Sequence, residues 1–266
     1  MTRVLTALVL LPIVIGVIWF LPSQGTLVLA AIAGVLACFE FRDLAGALQI
    51  RIPVGICAAA VVFVCCAMWS SAAVPFVLLA ALIVTGAVAV AGGRPSPGVL
   101  ADAAATMFAP IYIGLPLGAL VAIRTEWSGG GRLPLLLLLA VIVVSDSAQY
   151  YTGRAFGKRP LSPAISPKKT IEGAVGGVVF GTAAFAAGGV YLFPAPLWML
   201  LLLGAAMSLL GIVGDLFESL LKRSAGVKDS SQLIPGHGGV LDRIDSWLFA
   251  APVYYMFLSA VTRTAG

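Results

Sequence analysis

Long runs without a single charge alternate with short polar breaks along most of this chain, and the breaks divide it into segments of similar length. No Asp, Glu, Lys or Arg occurs from Val4 to Phe39, and the LPSQG break splits that run in two. Ile52 to Gly93 is again free of charge, with a weaker break at WSSAAVP, and gives two more segments. Ala103 to Ile123 gives one, and so does the run from Leu133, which is interrupted near its end by Asp146. Gly173 to Gly214 holds two, separated by FPAP, and Ser246 to Thr262 holds the last. A helix needs about 20 mostly apolar residues to cross a bilayer. In lipid, each backbone polar group must be satisfied within its own segment. The pattern predicts an all-α polytopic membrane protein of about nine transmembrane helices.

Nine spans put the two termini on opposite sides. Of the 16 Lys and Arg residues, only Arg124, Arg132 and Arg263 then fall on the side away from the N-terminus. The excess of positive charge marks the other side as cytoplasmic, so the N-terminus is expected there. Glu126 is the single acid on the poor side. Polar chemistry is therefore expected at the cytoplasmic face of the cell (inner) membrane. Composition agrees: 61% of the 266 residues are hydrophobic and 10% charged, against about 25% charged in a soluble domain. The first apolar run is too long for a cleaved signal and reads as a retained span. The net charge of +5, spread over loops, does not call for a nucleic-acid partner. Cys38, Cys57, Cys65 and Cys66 all sit in apolar runs and read as small hydrophobes.

Charge is also uneven along the chain. Residues 1–140 carry ten charged side chains and residues 141–266 carry seventeen. The first part reads as scaffold (spans 1–5 and the start of span 6) and the second as the catalytic region (spans 6–9 with their cytoplasmic loops), within one integrated membrane domain. Two polar stretches stand out, Ser145–Gly173 and Gly211–Ser246. In GIVGDLFESLLKR, Asp215, Ser219 and Lys222 are spaced to share one helical face. An ionisable side chain in a membrane helix is a functional candidate; the plainer alternative is an interfacial residue paired with a nearby lysine. Asp242 and Asp245 follow a loop containing Gly236, Gly238 and Gly239. One of these aspartates would suit the N-terminus of the last helix. Two of them, with Asp215, are hard oxygen ligands suited to Mg2+.

Lys222, Arg223, Lys228 and Arg243 lie near these acids, and Arg154, Lys158, Arg159, Lys168 and Lys169 crowd the earlier stretch. Some of them simply hold the topology. Mixed with carboxylates, hydroxyls and glycines, they also match what holds a polyphosphate during transfer. In SPKKTIEG, Ser166 is expected to cap a helix with Pro167 at its first position. Lys168, Lys169 and Thr170 would then form a phosphate cradle at a helix N-terminus. Asp146 reads either as a further metal or substrate ligand or as the partner of Arg154 or a lysine. His237, the only histidine, reads as an acid or base near neutral pH, a hydrogen-bond donor to phosphate, or a residue that holds the loop.

The run Ser219-x-x-Lys222-Arg223, then Lys228-Asp229-x-Ser231-x-x-Ile234-Pro235-Gly236-His237-Gly238-Gly239-x-x-Asp242-Arg243-x-Asp245, resembles the signature of phosphatidate cytidylyltransferases, also called CDP-diacylglycerol synthases. GRAFGK and ISPKKTIEG look like the family's second polar region. The resemblance covers roughly Ser145 to Ser246. It implies transfer of CMP from CTP to phosphatidic acid, Mg2+ with K+ as a second ion, and a homodimer. It also implies that Asp215 and Asp242 hold the metals with Asp245 close behind, and that Ser219, Lys222, Lys228, Asp229 and His237 line the nucleotide and phosphate site. Asp215 and Asp242 are expected to converge at the edge of the inner leaflet. The rival readings are a CTP-dependent polyprenol or phytol kinase, which needs a base at the acceptor hydroxyl, a transporter of an anionic solute, and an inactive scaffold.

Overall fold

The computed structural model describes residues 2–93, 95–127, 130–233 and 238–265. The helices are α1 Thr2–Phe20, α2 Ser23–Ala47, α3 Val54–Trp69, α4 Val74–Ala91, α5 Val99–Ala109, α6 Leu115–Glu126, α7 Arg132–Phe156, α8 Ile171–Leu192, α9 Leu197–Ser224 and α10 Leu241–Ala265. A π-helical turn, Pro110–Gly114, joins α5 to α6. Among the described residues, six helical stretches are long and apolar enough to cross a membrane: Val74–Ala91, Val99–Glu126, Arg132–Phe156, Ile171–Leu192, Leu197–Ser224 and Leu241–Val261. Leu8–Phe20 and Val54–Trp69 are apolar and shorter. The chain is an all-α membrane protein apart from one small hairpin.

That hairpin corrects a sequence expectation. SPKKT is not the first turn of a helix. Strand β1 (Pro160–Ser162) pairs antiparallel with β2 (Ser166–Thr170), with Pro160 opposite Thr170. Helix α8 starts after β2, capped by Thr170, whose hydroxyl accepts the N–H of Gly173 at 3.1 Å. Glu172 in its first turn accepts the N–H groups of Lys158 and Arg159 and pairs with the Arg159 guanidinium at 3.1 Å. Cap and carboxylate together fix the helix start four residues later than a Ser166 cap would. Thr170→Ala is expected to cost about 1 kcal/mol, read as a lower thermal unfolding midpoint in detergent with faster hydrogen exchange at Gly173. Unchanged exchange there would contradict the assigned cap.

Charge also misplaced two helix ends. Helix α2 continues to Ala47, so Glu40, Arg42 and Asp43 are helical. Helix α7 continues to Phe156, so Arg154 is helical and not in a loop, while Asp146 lies within its helix as the pattern had it. Charges mark where lipid gives way to water. They do not stop a helix that lacks an internal proline and has a neighbour to pack on.

The backbone divides into two compact units, Met1–Thr125 with Leu221–Ile244, and Glu126–Leu220 with Asp245–Gly266. In the first, α2, α3 and the π-turn pack closely around Val61, Val64 and Ile113, all fully buried. A Cβ on Gly114 would lie 3.3 Å from the Val61 backbone, so a side chain there would require α3 to give by a few tenths of an ångström. Cys38, Cys57 and Cys65 are buried free thiols in this core, matching their reading as small hydrophobes. In the second unit, α7 packs along α8, where Gly173, Gly177 and Gly181 repeat every fourth residue and face Gln149 and Ser145. Small residues at this spacing let membrane helices approach closely. Phe185, Phe193, Tyr254 and Phe257 form an aromatic cluster, and the buried Tyr254 hydroxyl donates to the Pro134 carbonyl at 3.1 Å.

Candidate active site

The second unit gathers one group of predicted site residues on α9. Asp215 accepts from Ser219 Oγ at 3.4 Å, one helical turn on, as their spacing requires. Its other oxygen pairs with the ammonium of Lys169 on β2. The hairpin therefore brings a lysine to α9 from forty-six residues away in sequence. Asp215 retains 31% side-chain exposure. On α10, Asp245 is half-buried and accepts the N–H of Ser246 at 2.7 Å. A Cβ on Gly214 would overlap the Asp245 carbonyl, so α9 and α10 approach closely beside Asp215.

The first unit holds the other group. Lys222, in the last turns of α9, pairs with Asp242 in the first turn of α10, at only 10% and 5% side-chain exposure. Asp242 Oδ2 also accepts the N–H of Gly239 at 2.7 Å and, from Ser230, the N–H at 3.0 Å and the hydroxyl at 2.8 Å. Asp242 thus turns back onto the preceding loop. Gly238 has φ +80°, and a Cβ there would come within 2.6 Å of the Asp242 carboxylate.

The remaining residues are placed as follows. Asp146 is exposed and receives Gln149 Nε2 at 3.3 Å. Arg154 is exposed and donates to the Tyr150 hydroxyl at 3.5 Å. Lys158, Lys168, Lys228, Asp229 and Arg243 are exposed. Arg223 is exposed and reaches the Val227 carbonyl at 3.1 Å. Thr170 spends its oxygen on the α8 cap. Asp215 and Asp245 belong to the second unit and Asp242 to the first. His237 and Gly236 lie outside the described residues.

Sequence reasoning missed Glu40. This α2 residue is 3% exposed and accepts from Val240 N–H, Leu241 N–H, Ser231 Oγ and Ser230 Oγ. Its only sequence signal was an acid directly following a long apolar run.

Among the described residues, no group of three or more His, Cys, Asp and Glu side chains is drawn together tightly enough to hold a metal ion. Asp215 and Asp242 each carry a lysine ammonium instead. The donor chemistry nevertheless fits a hard cation. It is made of carboxylate oxygens, the ligands such ions prefer.

The chain is similar to several curated proteins. It is 44% identical over 126 residues to the phosphatidate cytidylyltransferase of Aquifex aeolicus, covering 47% of each chain. The enzyme of the same name from Bacillus subtilis is 43% identical over 152 residues, 57% of this chain and 56% of that one. For Mycobacterium tuberculosis H37Rv the identity is 37% over 171 residues, 63% of this chain and 51% of that one. The chain thus spans about half the length of the curated relatives it matches. The cytidylyltransferase family model matches residues 1–261, almost the whole sequence, including both lysine–aspartate pairs. On that match, the chain belongs to the cytidylyltransferase family.

Proposed function

We propose that the chain transfers CMP from CTP to phosphatidic acid, giving CDP-diacylglycerol and pyrophosphate. The observation that carries this reading is the pairing of motif lysines with motif aspartates, Lys169 with Asp215 and Lys222 with Asp242, within a chain of this family. An oxygen of the lipid phosphate attacks the α-phosphorus of CTP, and the bond to the β-phosphate oxygen breaks. The nucleophile is already anionic, so no base is needed. The difficulty is bringing two anions together, and catalysis reduces to alignment and neutralisation.

Lys169 and Lys222 supply ammonium groups that exchange a carboxylate for a substrate phosphate as the nucleotide binds. Ser219, Lys228, Asp229 and His237 are the proposed nucleotide and phosphate contacts. Arg154, Lys158, Lys168, Arg223 and Arg243 add positive field around them. Asp215, Asp242 and Asp245 are the proposed holders of Mg2+ and of a second ion, K+. Bound Mg2+ supplies charge neutralisation on the transferring and leaving phosphates. The reading also carries nine spans, a cytoplasmic N-terminus, an active site at the cytoplasmic face of the inner membrane, and a homodimer. The excess of Lys and Arg on one side supports the orientation.

The acceptor tests the proposal. Purified protein in detergent with CTP and Mg2+ is expected to consume CTP when phosphatidic acid is supplied and not when a polyprenol is. Consumption with the alcohol and none with phosphatidic acid would assign the chain to the kinase reading.

A further inference from the structure

We infer that Glu40 is a positioning residue: it anchors Ser230–Ser231 and Val240–Leu241 and, through them, sets Asp242 and the adjoining Lys228 and Asp229. The inference rests on the CMP-transfer reading for its kinetic consequence and on the geometry alone for the anchor.

Glu40 Oε1 accepts the N–H of Val240 at 2.8 Å and the Ser231 hydroxyl at 2.7 Å. Oε2 accepts the N–H of Leu241 at 2.7 Å and lies 3.0 Å from the Ser230 hydroxyl, whose single proton it shares with Asp242. Every one of these partners is a donor, which suits the carboxylate form. They are also about two hundred positions away in sequence. A buried carboxylate is costly unless its oxygens are satisfied, and here the satisfaction comes from Ser230, Ser231, Val240 and Leu241.

The same loop holds Asp242. The Ser230 hydroxyl lies within hydrogen-bonding distance of both Glu40 Oε2 and Asp242 Oδ2. The Ser230 N–H and the Gly239 N–H both go to Asp242. Glu40 therefore grips Ser230–Ser231 at one flank and Val240–Leu241 at the other, and Asp242 is held by the donors between. A Cβ on Gly239 would overlap both Ser230 Oγ and Glu40 Oε2, so the loop backbone lies directly against the Glu40 carboxylate. Lys228 and Asp229 directly precede Ser230, so the anchor fixes the point from which they project. Glu40 itself stays beneath the loop, at 3% exposure.

The test is Glu40→Gln in the full-length protein in detergent. A carboxamide keeps the size but has one acceptor oxygen, so its NH2 faces a backbone N–H. Hydrogen exchange at Val240 and Leu241 is expected to quicken about tenfold or more, with exchange in α7 and α8 unchanged. The KM for CTP, per folded protein, is expected to rise about tenfold while the KM for phosphatidic acid holds. Glu40→Asp, which keeps the charge, is expected to recover part of the CTP affinity. If Glu40→Gln does not fold, Ser231→Ala removes one donor, leaves the carboxylate in place, and is expected to show the same split at smaller size. Unchanged exchange at Val240 and Leu241 would overturn the anchor. Equal losses for both substrates, with Asp no better than Gln, would reduce Glu40 to a structural role and overturn the positioning claim. Wild-type protein that ignores CTP and phosphatidic acid would instead sink the proposed function, and the exchange experiment would still judge the anchor.

Discussion

Asp215→Asn is expected to lower turnover by about three orders of magnitude and leave the fold intact. Asparagine matches aspartate in shape but has one acceptor oxygen, so it keeps the contact to Lys169 or the one to Ser219 and not both. The Lys169–Asp215 pair is also partly exposed, and such pairs contribute about 0–1 kcal/mol to stability. What the substitution removes is the negative charge. A neutral amide neither holds a hard cation well nor competes for an ammonium. Charge stabilisation by a bound cation is worth several kcal/mol, and about 4 kcal/mol corresponds to roughly a thousandfold in rate. Initial rates of CDP-diacylglycerol formation, measured beside the thermal unfolding midpoint, separate the two effects. Turnover within about tenfold of wild type, in a folded variant, would remove Asp215 from the chemistry.

Lys222→Met is expected to act on stability as well. Lys222 and Asp242 are both nearly inaccessible, so removing the ammonium leaves a buried carboxylate without its cation. Breaking such a pair costs about 3–5 kcal/mol. Asp242 keeps the N–H donors of Gly239 and Ser230, which places the effect toward the lower end of that range. Asp242→Asn in the Lys222→Met background is expected to restore part of the loss, because it removes the orphaned charge. The double-mutant cycle should show coupling above about 1 kcal/mol. Additive effects of the two substitutions would mean that the pair contributes nothing specific. Activity falls in both cases, so unfolding midpoints carry this test.

The membrane segments were legible because charge-free runs report directly on the surrounding solvent. Val99–Glu126 and Leu197–Ser224 lie where that pattern put them. Helix ends were less legible, since α2 and α7 run on past their first charges. Composition records where water begins and does not record where the backbone changes. The hairpin escaped notice because Ser166-Pro167 satisfies a local rule for helix starts, while Thr170 caps four residues later through Gly173 and Glu172 is tied to Lys158 and Arg159, before β1. For the site, Asp215 with Ser219 could be read from helical spacing. The partnership of Lys169 with Asp215 could not, because it depends on how the hairpin returns. Glu40 was least legible of all. Its partners are donors at the far end of the chain, and no local periodicity encodes such a contact.

The account stands most directly on where the α-phosphate of CTP goes. Purified full-length protein is given CTP labelled at the α-phosphorus, with phosphatidic acid and Mg2+, and the products are divided between lipid and water. The account predicts label in the lipid, with one pyrophosphate released for each labelled lipid formed. Label that stays in water while the γ-phosphate enters the lipid would contradict it.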